Sequence, residues 1–395
     1  MKRFVYTNDF VFHAQREAPR VFHEEIFELL QIPLESGTQS RLEMICGCKN
    51  QAGEIFSRKR FLGLSGFDNV PDTYFACDLQ KISAASVAYF KSFFDNDTVF
   101  IGCELGLELR NWLTQNGYAY VNFWYHPFKL LDDIFFLVGS NVQDVYDMLM
   151  SCRVDRRKLE FHARYYSLYA RHNKMVRDAA LEDNCCLFIG QLPRDKSVQD
   201  GERFLTIADF PEKIAELESR YSRIYYLPHP KLGKNNVVGG FLAAHDRISE
   251  LKGIPTYCLL ASEKVKKVIA LSSSVVYEAK MFGKDSEYLF RPLFDIDGPY
   301  SLNSFVSIYH DYFRPSFWKS VMRCLAGEPA LSVDGIDDEL MDFGLGRIRD
   351  LAKAQWGYKY LGRLERLENR LERIEHNPLI KIGKQIKKLF CKAGK

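Results

Sequence analysis

The feature that most constrains this chain is an alternation of short apolar runs and helical stretches that runs through its first half and then starts again at Cys185. Val99–Gly102 reads as a buried strand, Leu105–Gln115 as a helix closed by Asn116-Gly117, and Tyr118–Phe123 as the next strand. The stretch 155–183, rich in Arg, Tyr and Ala, reads as helical and as the crossing between two domains. The second round predicts strands at Cys185–Ile189, Arg223–Leu227, Thr256–Leu260, Val268–Leu271 and Tyr288–Phe290. Helices are predicted at Pro211–Tyr221, Ala243–Leu251 and Ser274–Phe282. Strands alternating with helices argue for parallel, doubly wound sheets.

Two such rounds, without a P-loop or a G-x-G-x-x-G fingerprint, fit an α/β chain of GT-B architecture, two Rossmann-like domains with a ligand cleft at the carboxyl ends of their strands. The expected division is 1–175 for the acceptor-side domain, 176–304 for the nucleotide-side domain, 305–335 for helices packing back on both, and 336–395 for a helical basic tail. A length of 395 residues suits two cores.

Apolar residues make up 47% and charged residues 27%, a globular composition. A net charge of +3 is too small to argue for nucleic acid. Ten cysteines are present, but Cys46-Gly-Cys48 and Cys185-Cys186 lack the C-x-x-C spacing of a zinc or redox site. Met1-Lys2-Arg3 runs straight into an apolar strand, so no leader is expected, and no run of about 18 apolar residues predicts a membrane span. A reducing cytoplasm is the expected location.

Four segments carry residue types suited to chemistry. His229 follows a predicted strand in Leu227-Pro228-His229-Pro230-Lys231, held between prolines. Ser272-Ser273-Ser274 leads into a helix, where hydroxyls and free N–H groups would seat a phosphate that an imidazole could help to leave. Gln191 and Asp195 lie in the polar loop after Ile189, and a carboxylate there could attack an anomeric carbon, or else pair with Arg194 or Lys196. Asp132-Asp133, between apolar runs, suggests a general acid or base for an acceptor hydroxyl, with a helix start as the plainer alternative. Their adjacent spacing differs from the D-x-D of metal-dependent transferases, so no metal is expected. Arg291 and Lys231 are candidates for pairing with a sugar carboxylate; for Arg291 a salt bridge to Asp295 or Asp297 competes.

Gly190-Gln191 with Asp195 and Ser197, His229-Pro230 and Ser272–Ser274 together resemble the bacterial retaining β-Kdo glycosyltransferases that build capsule linkers and cap O-antigens. The His-Pro and Ser-Ser pair also resembles the bacterial sialyltransferases, but Trp124-Tyr125-His126-Pro127 through Asp133 looks more like the O-antigen-capping enzymes. The resemblance covers about residues 90–295. It implies CMP-β-Kdo as donor, no metal, His229 and the serines at the CMP phosphate, Asp195 as nucleophile, and Asp132 or Asp133 near the acceptor. The implied partner is a lipid-linked polysaccharide acceptor, with the inner-membrane surface and assembly proteins beside it. The competing readings are a sialyltransferase or another nucleotide-sugar transferase, and a non-enzymatic polysaccharide-assembly scaffold.

After Ser304 the chain is expected to be helical, and two apolar stripes follow. The second, Leu379, Ile382, Ile386 and Leu389 among Lys381, Lys384, Lys387 and Lys388, has the pattern of an interfacial amphipathic helix.

Overall fold

The computed structural model describes residues 2–11, 19–45, 56–67, 79–133, 135–172, 181–193, 195–200, 203–229, 232 and 238–331, with side chains left aside at 19–25, 80 and 196. The chain divides into Met1–Gly346 and Arg347–Lys395, and all described residues belong to the first unit. The tail stripes, Cys46 and Cys48, Arg194, Pro230 and Lys231 lie outside the described residues.

The first half runs β1 (Arg3–Asn8), α1 (Pro19–Thr38), β2 (Leu42–Ile45), α2 (Arg58–Gly63), α3 (Ala84–Lys91), β3 (Thr98–Cys103), α4 (Leu107–Gln115), β4 (Ala119–Tyr125), β5 (Phe136–Ser140), α5 (Gln143–Ser151) and α6 (Arg156–Ala170). The second runs β6 (Cys185–Ile189), the short ribbon β7 (Gln199–Asp200) and β8 (Arg203–Phe204), α7 (Pro211–Arg220), β9 (Ile224–Leu227), α8 (Gly239–Ala243), β10 (Ile248–Glu250), α9 (Thr256–Ala261), β11 (Val265–Ala270), α10 (Val275–Met281) and β12 (Asp285–Tyr288). The chain then continues through β13 (Asp295–Ile296), β14 (Ser304–Ile308) and α11 (Pro315–Leu325).

These elements form two sheets, ordered β13-β14-β5-β4-β3-β1-β2 and β10-β9-β6-β11-β12. In the second sheet every pairing is parallel. In the first, β2, β1, β3 and β4 are parallel, and β5 runs against both β4 and β14. Strands β3 and β6 are buried along their whole length, which is why they appear in the sequence as unbroken apolar runs. Each sheet has a point where the chain reverses its direction of winding. In the first it falls between β1 and β3; in the second, between β6 and β11. Ligands of open α/β sheets bind at such points, beyond the carboxyl ends of the strands. The architecture is thus α/β with two Rossmann-like sheets, as the alternation predicts.

Three local expectations are corrected. Thr256–Leu260 is helix α9, not a strand; a short apolar run fits either, and here the helix buries Cys258, Leu259, Leu260 and Ala261. Ala243–Leu251 is not one helix: α8 ends at Ala243, and Ile248–Glu250 pairs with β9 as an edge strand. After Ser304 the chain enters β14, which extends the first sheet, before turning into α11. Helix α11 packs on α1 so closely that a Cβ at Gly37 would lie 2.1 Å from the Pro315 carbonyl oxygen.

The two halves meet in a buried cluster that joins Phe128, Leu131 and Phe135 to Leu159 and Ala163 of α6 and Met281 of α10. A polar chain runs beside it. The Phe128 N–H donates to His126 Nδ1 (3.0 Å), which leaves the ring proton on Nε2, 3.1 Å from Ser307 Oγ. The Ser307 hydroxyl donates to Asp297 Oδ2 and its N–H to Oδ1, each at 2.8 Å. Burial, with Lys129 nearby, holds the His126 imidazole well below its usual pKa, so the ring is neutral. His126 thus pins the end of β4 to β14 within the first sheet, and the Tyr277 ring of α10 packs edge-on against it at 5.6 Å.

At the same junction Glu278 of α10 is buried near Tyr257 and Lys129. Burial pushes its carboxyl up to about 7, against the opposing pull of the Tyr257 hydroxyl and then Lys129. A carboxyl raised on folding holds its proton more tightly in the folded state. Its contribution is complete below the ordinary value of 4.5 and is lost as pH rises through about 7. Glu278→Gln is therefore expected to flatten the fall in stability between about pH 4.5 and pH 7 and to leave the protein more stable than wild type at pH 8. Urea unfolding across that range measures this, and parallel pH curves for the two proteins would contradict it.

Candidate functional site

At the reversal point of the second sheet, the second residue beyond β6 reaches across to the second residue beyond β11. Gln191 Nε2 donates to Ser272 Oγ (2.8 Å) and to Ser197 Oγ (2.9 Å), while the Ser272 N–H donates to Gln191 Oε1 (2.8 Å). One amide thereby ties together the ends of both central strands and the loop after β6. Gly190 makes the approach possible. Its N–H donates to the Leu227 carbonyl oxygen at 2.7 Å, and a Cβ there would lie 2.6 Å from Tyr226 Oη and 2.8 Å from that carbonyl. Beneath the amide is a hollow lined by Phe188, Gln191, Val198, Tyr226, Leu232 and Leu271.

Asp195 is half-buried in the same loop. Its Oδ1 accepts the Ser197 N–H at 2.9 Å, and its carbonyl accepts the Val198 N–H, so its backbone and side chain both start the turn Lys196–Val198. The loop that holds Asp195 is held in turn by Gln191 through Ser197. The three serines are not equivalent. Ser272 is buried and committed to Gln191. Ser273 and Ser274 are half-exposed, and Ser274, at the N-cap of α10, makes no side-chain cap bond. Among the described residues, the expected capping is reduced to a 3.4 Å contact from the Val275 N–H to Ser273 Oγ. His229 is half-buried two residues beyond β9, the strand next to β6, and its carbonyl accepts the Leu232 N–H at 2.8 Å. Arg291 is exposed. It lies over the Phe290 ring at 4.7 Å and reaches the Gln199 carbonyl at 3.4 Å, on the same loop as Asp195. Asp297, one of its expected partners, is taken up by Ser307.

The adjacent aspartates are separated by the fold. Asp132 is exposed, whereas Asp133 is fully buried, its Oδ2 3.5 Å from His310 Nε2. No helix starts here; the segment is a bend leading into β5. The His310 ring stacks on Tyr309 at 3.9 Å. A carboxylate–imidazole pair joined across that much sequence leaves no local signature.

Sequence reasoning also passed over the carboxyl ends of β1 and β3, the reversal point of the first sheet. Asp9 accepts the Gly106 N–H at 2.8 Å and the Val11 N–H at 2.9 Å. Glu104, half-buried directly after β3, holds a left-handed backbone at φ +57°, with its N–H on the Phe123 carbonyl at 2.8 Å. Left-handed backbone at a residue other than glycine costs free energy and gathers at functional sites. Burial chiefly, then the neighbouring Cys103 and Glu104, push the Tyr125 phenol far up. The signal available in the sequence was a lone acid directly after an unbroken apolar strand. Among the described residues no group of three or more His, Cys, Asp or Glu could hold a metal ion, and no helix is long and apolar enough to cross a membrane.

No family model and no curated protein matches the chain. Among solved structures it is similar to the β-Kdo 2,7-transferase of Thermosulfurimonas dismutans KpsC, at 12% identity and a TM-score of 0.37 over 74% of this chain and 80% of that one. It is also similar to the UDP-GlcNAc 2-epimerase of Neisseria meningitidis bound to UDP-GlcNAc (12% identity, TM-score 0.26, 73% and 82% covered). A third is Arabidopsis thaliana UGT89C1 complexed with UDP (10% identity, TM-score 0.28, 90% and 100% covered). Likeness at this level assigns no activity.

Proposed function

We propose that this chain is a cytoplasmic retaining glycosyltransferase that moves β-Kdo from CMP-β-Kdo onto a lipopolysaccharide O-antigen or capsule glycan. The observation that carries the reading is the Gln191–Ser272–Ser197 tie at the reversal point of the second sheet, which gathers the loop bearing Asp195 beside the half-exposed Ser273 and Ser274. In this reading Ser273, Ser274 and His229 hold the CMP phosphate, and Arg291 or Lys231 pairs with the sugar carboxylate. Asp195 attacks the anomeric carbon as the bond to CMP breaks, and CMP leaves with the electron pair on its phosphate oxygen. An acceptor hydroxyl then displaces Asp195 from the opposite face and loses its proton to an acceptor-side carboxylate. Two inversions give net retention. Of the two adjacent aspartates, Asp132 is the exposed one suited to that role, and Asp133 is enclosed beside His310.

Titration calorimetry tests the nucleotide half of this reading. His229→Ala and Ser273→Ala should each weaken CMP binding about 10–100-fold, the equivalent of about 1.5–3 kcal/mol for one charge-assisted hydrogen bond, with melting temperatures unchanged. Unchanged CMP affinity in both variants would remove these residues from the site.

A further inference from the structure

Helix α6 is apolar on two opposite faces. Leu159, Ala163 and Ala170 point inward and are buried, and the helix packs against α9 and α10. The opposite face carries Phe161, Tyr165 and Leu168, which are 67%, 65% and 49% exposed. At 3.6 residues per turn these three fall within about 60° of one another and about 180° from the buried stripe. Large apolar side chains on the face turned away from the core, beside a row of basic ones, have the pattern of an interfacial amphipathic helix. Arg157, Arg164 and Arg171, spaced by seven, line one edge of the stripe and are all exposed. Residues 156–171 hold five basic side chains and one acid. Arg157 pairs with Asp155 and Arg171 with Glu263, but both are exposed pairs, of the kind that exchanges readily for another anion.

We infer that this face of α6 docks onto an anionic lipid bilayer, with Phe161, Tyr165 and Leu168 entering the interface and the arginine row meeting lipid phosphates. Charge complementarity disfavours a second copy of the chain. In an antiparallel pairing of this face the arginine row, with Glu160 as its one acid, meets itself; in a parallel one it meets the edge carrying Lys158, His162 and Tyr169, and in both the bases outnumber the acids. Size disfavours a specific protein partner. The stripe is about 12 Å long and about 10 Å wide, far short of the roughly 800 Å² that each side of a stable interface buries. A bilayer requires neither an acidic groove nor a large matched surface.

Vesicle flotation of the full chain tests the inference, using pure phosphatidylcholine and phosphatidylcholine with 30% phosphatidylglycerol. Wild type should float with the anionic vesicles and much less with the neutral ones, and its binding should weaken with salt. The triple variant Phe161→Ser, Tyr165→Ser, Leu168→Ser should lose at least roughly tenfold in partitioning at an unchanged melting temperature. Arg157→Gln with Arg164→Gln and Arg171→Gln should remove the preference for anionic lipid. A parallel variant with glutamine at Lys381, Lys384, Lys387 and Lys388 separates the tail from the helix. The inference is overturned if the serine variant floats like wild type, if only the tail variant loses binding, or if the serine substitutions instead convert dimers to monomers in light scattering.

Discussion

Asp195→Asn is expected to lower transfer from CMP-Kdo by at least about a thousandfold while CMP still binds. The amide keeps the shape and can still accept the Ser197 N–H, so the turn Lys196–Val198 should persist. What it loses is the nucleophile, since an amide oxygen is a poor one. In the proposed site the phosphate contacts belong to other residues, so calorimetry with CMP should match wild type. Wild-type enzyme quenched during turnover should carry one added Kdo by intact-protein mass spectrometry, mapping to the peptide that contains Asp195. Asp195 also starts a turn, and a residue with only that task predicts a different pattern. Asp195→Ala would then cost a fraction of a kcal/mol to about 2 kcal/mol in stability, as other caps do, with the rate little changed. Substantial transfer with retained stereochemistry in Asp195→Ala would refute the nucleophile assignment.

Asp133→Ala is expected to cost about 3–5 kcal/mol of folding stability, the largest effect foreseen among single changes at the candidate residues. Asp133 is wholly enclosed, its Oδ2 3.5 Å from Nε2 of the buried His310, and its removal takes a polar partner from groups that water cannot reach. Asp132→Ala, one position away but exposed, should stay within about 0.5 kcal/mol. Urea unfolding of the two variants side by side measures the contrast. If Asp132 is the acceptor-side acid or base, its alanine variant loses rate at normal stability. Equal stability losses in both variants would contradict the assigned environments.

What the sequence revealed follows from where burial is continuous. Strands β3 and β6 lie inside their sheets and read as apolar runs, as does the Val268–Ala270 end of β11 beyond its two lysines, so the two-sheet plan was visible. The helix closed by Asn116 and Gly117 was visible because Gly117 holds a left-handed turn at φ +82°. Short elements were not. Thr256–Ala261 is six residues long, too short for its periodicity to separate helix from strand. Strand β14 gains its place in the first sheet by pairing with β5, a partner remote in sequence. On the donor side Gln191, Asp195 and the serines were legible because each follows a strand of the same sheet, but the committed bond between Ser272 and Gln191 was not. On the acceptor side the Asp-Asp doublet drew attention, while Glu104 gave only a weak local signal. Its backbone conformation and its neighbours come from tertiary structure.

The central claim is that the tie between Gln191 and Ser272 frames a cytidine nucleotide site. Calorimetric titration of CMP, UDP and GDP into wild type and Gln191→Ala tests it most directly. Such a site requires saturable one-to-one binding of CMP, much weaker binding of UDP and GDP, and loss of CMP binding in Gln191→Ala without unfolding. Equal binding of all three nucleotides, or CMP affinity untouched by Gln191→Ala, would contradict it.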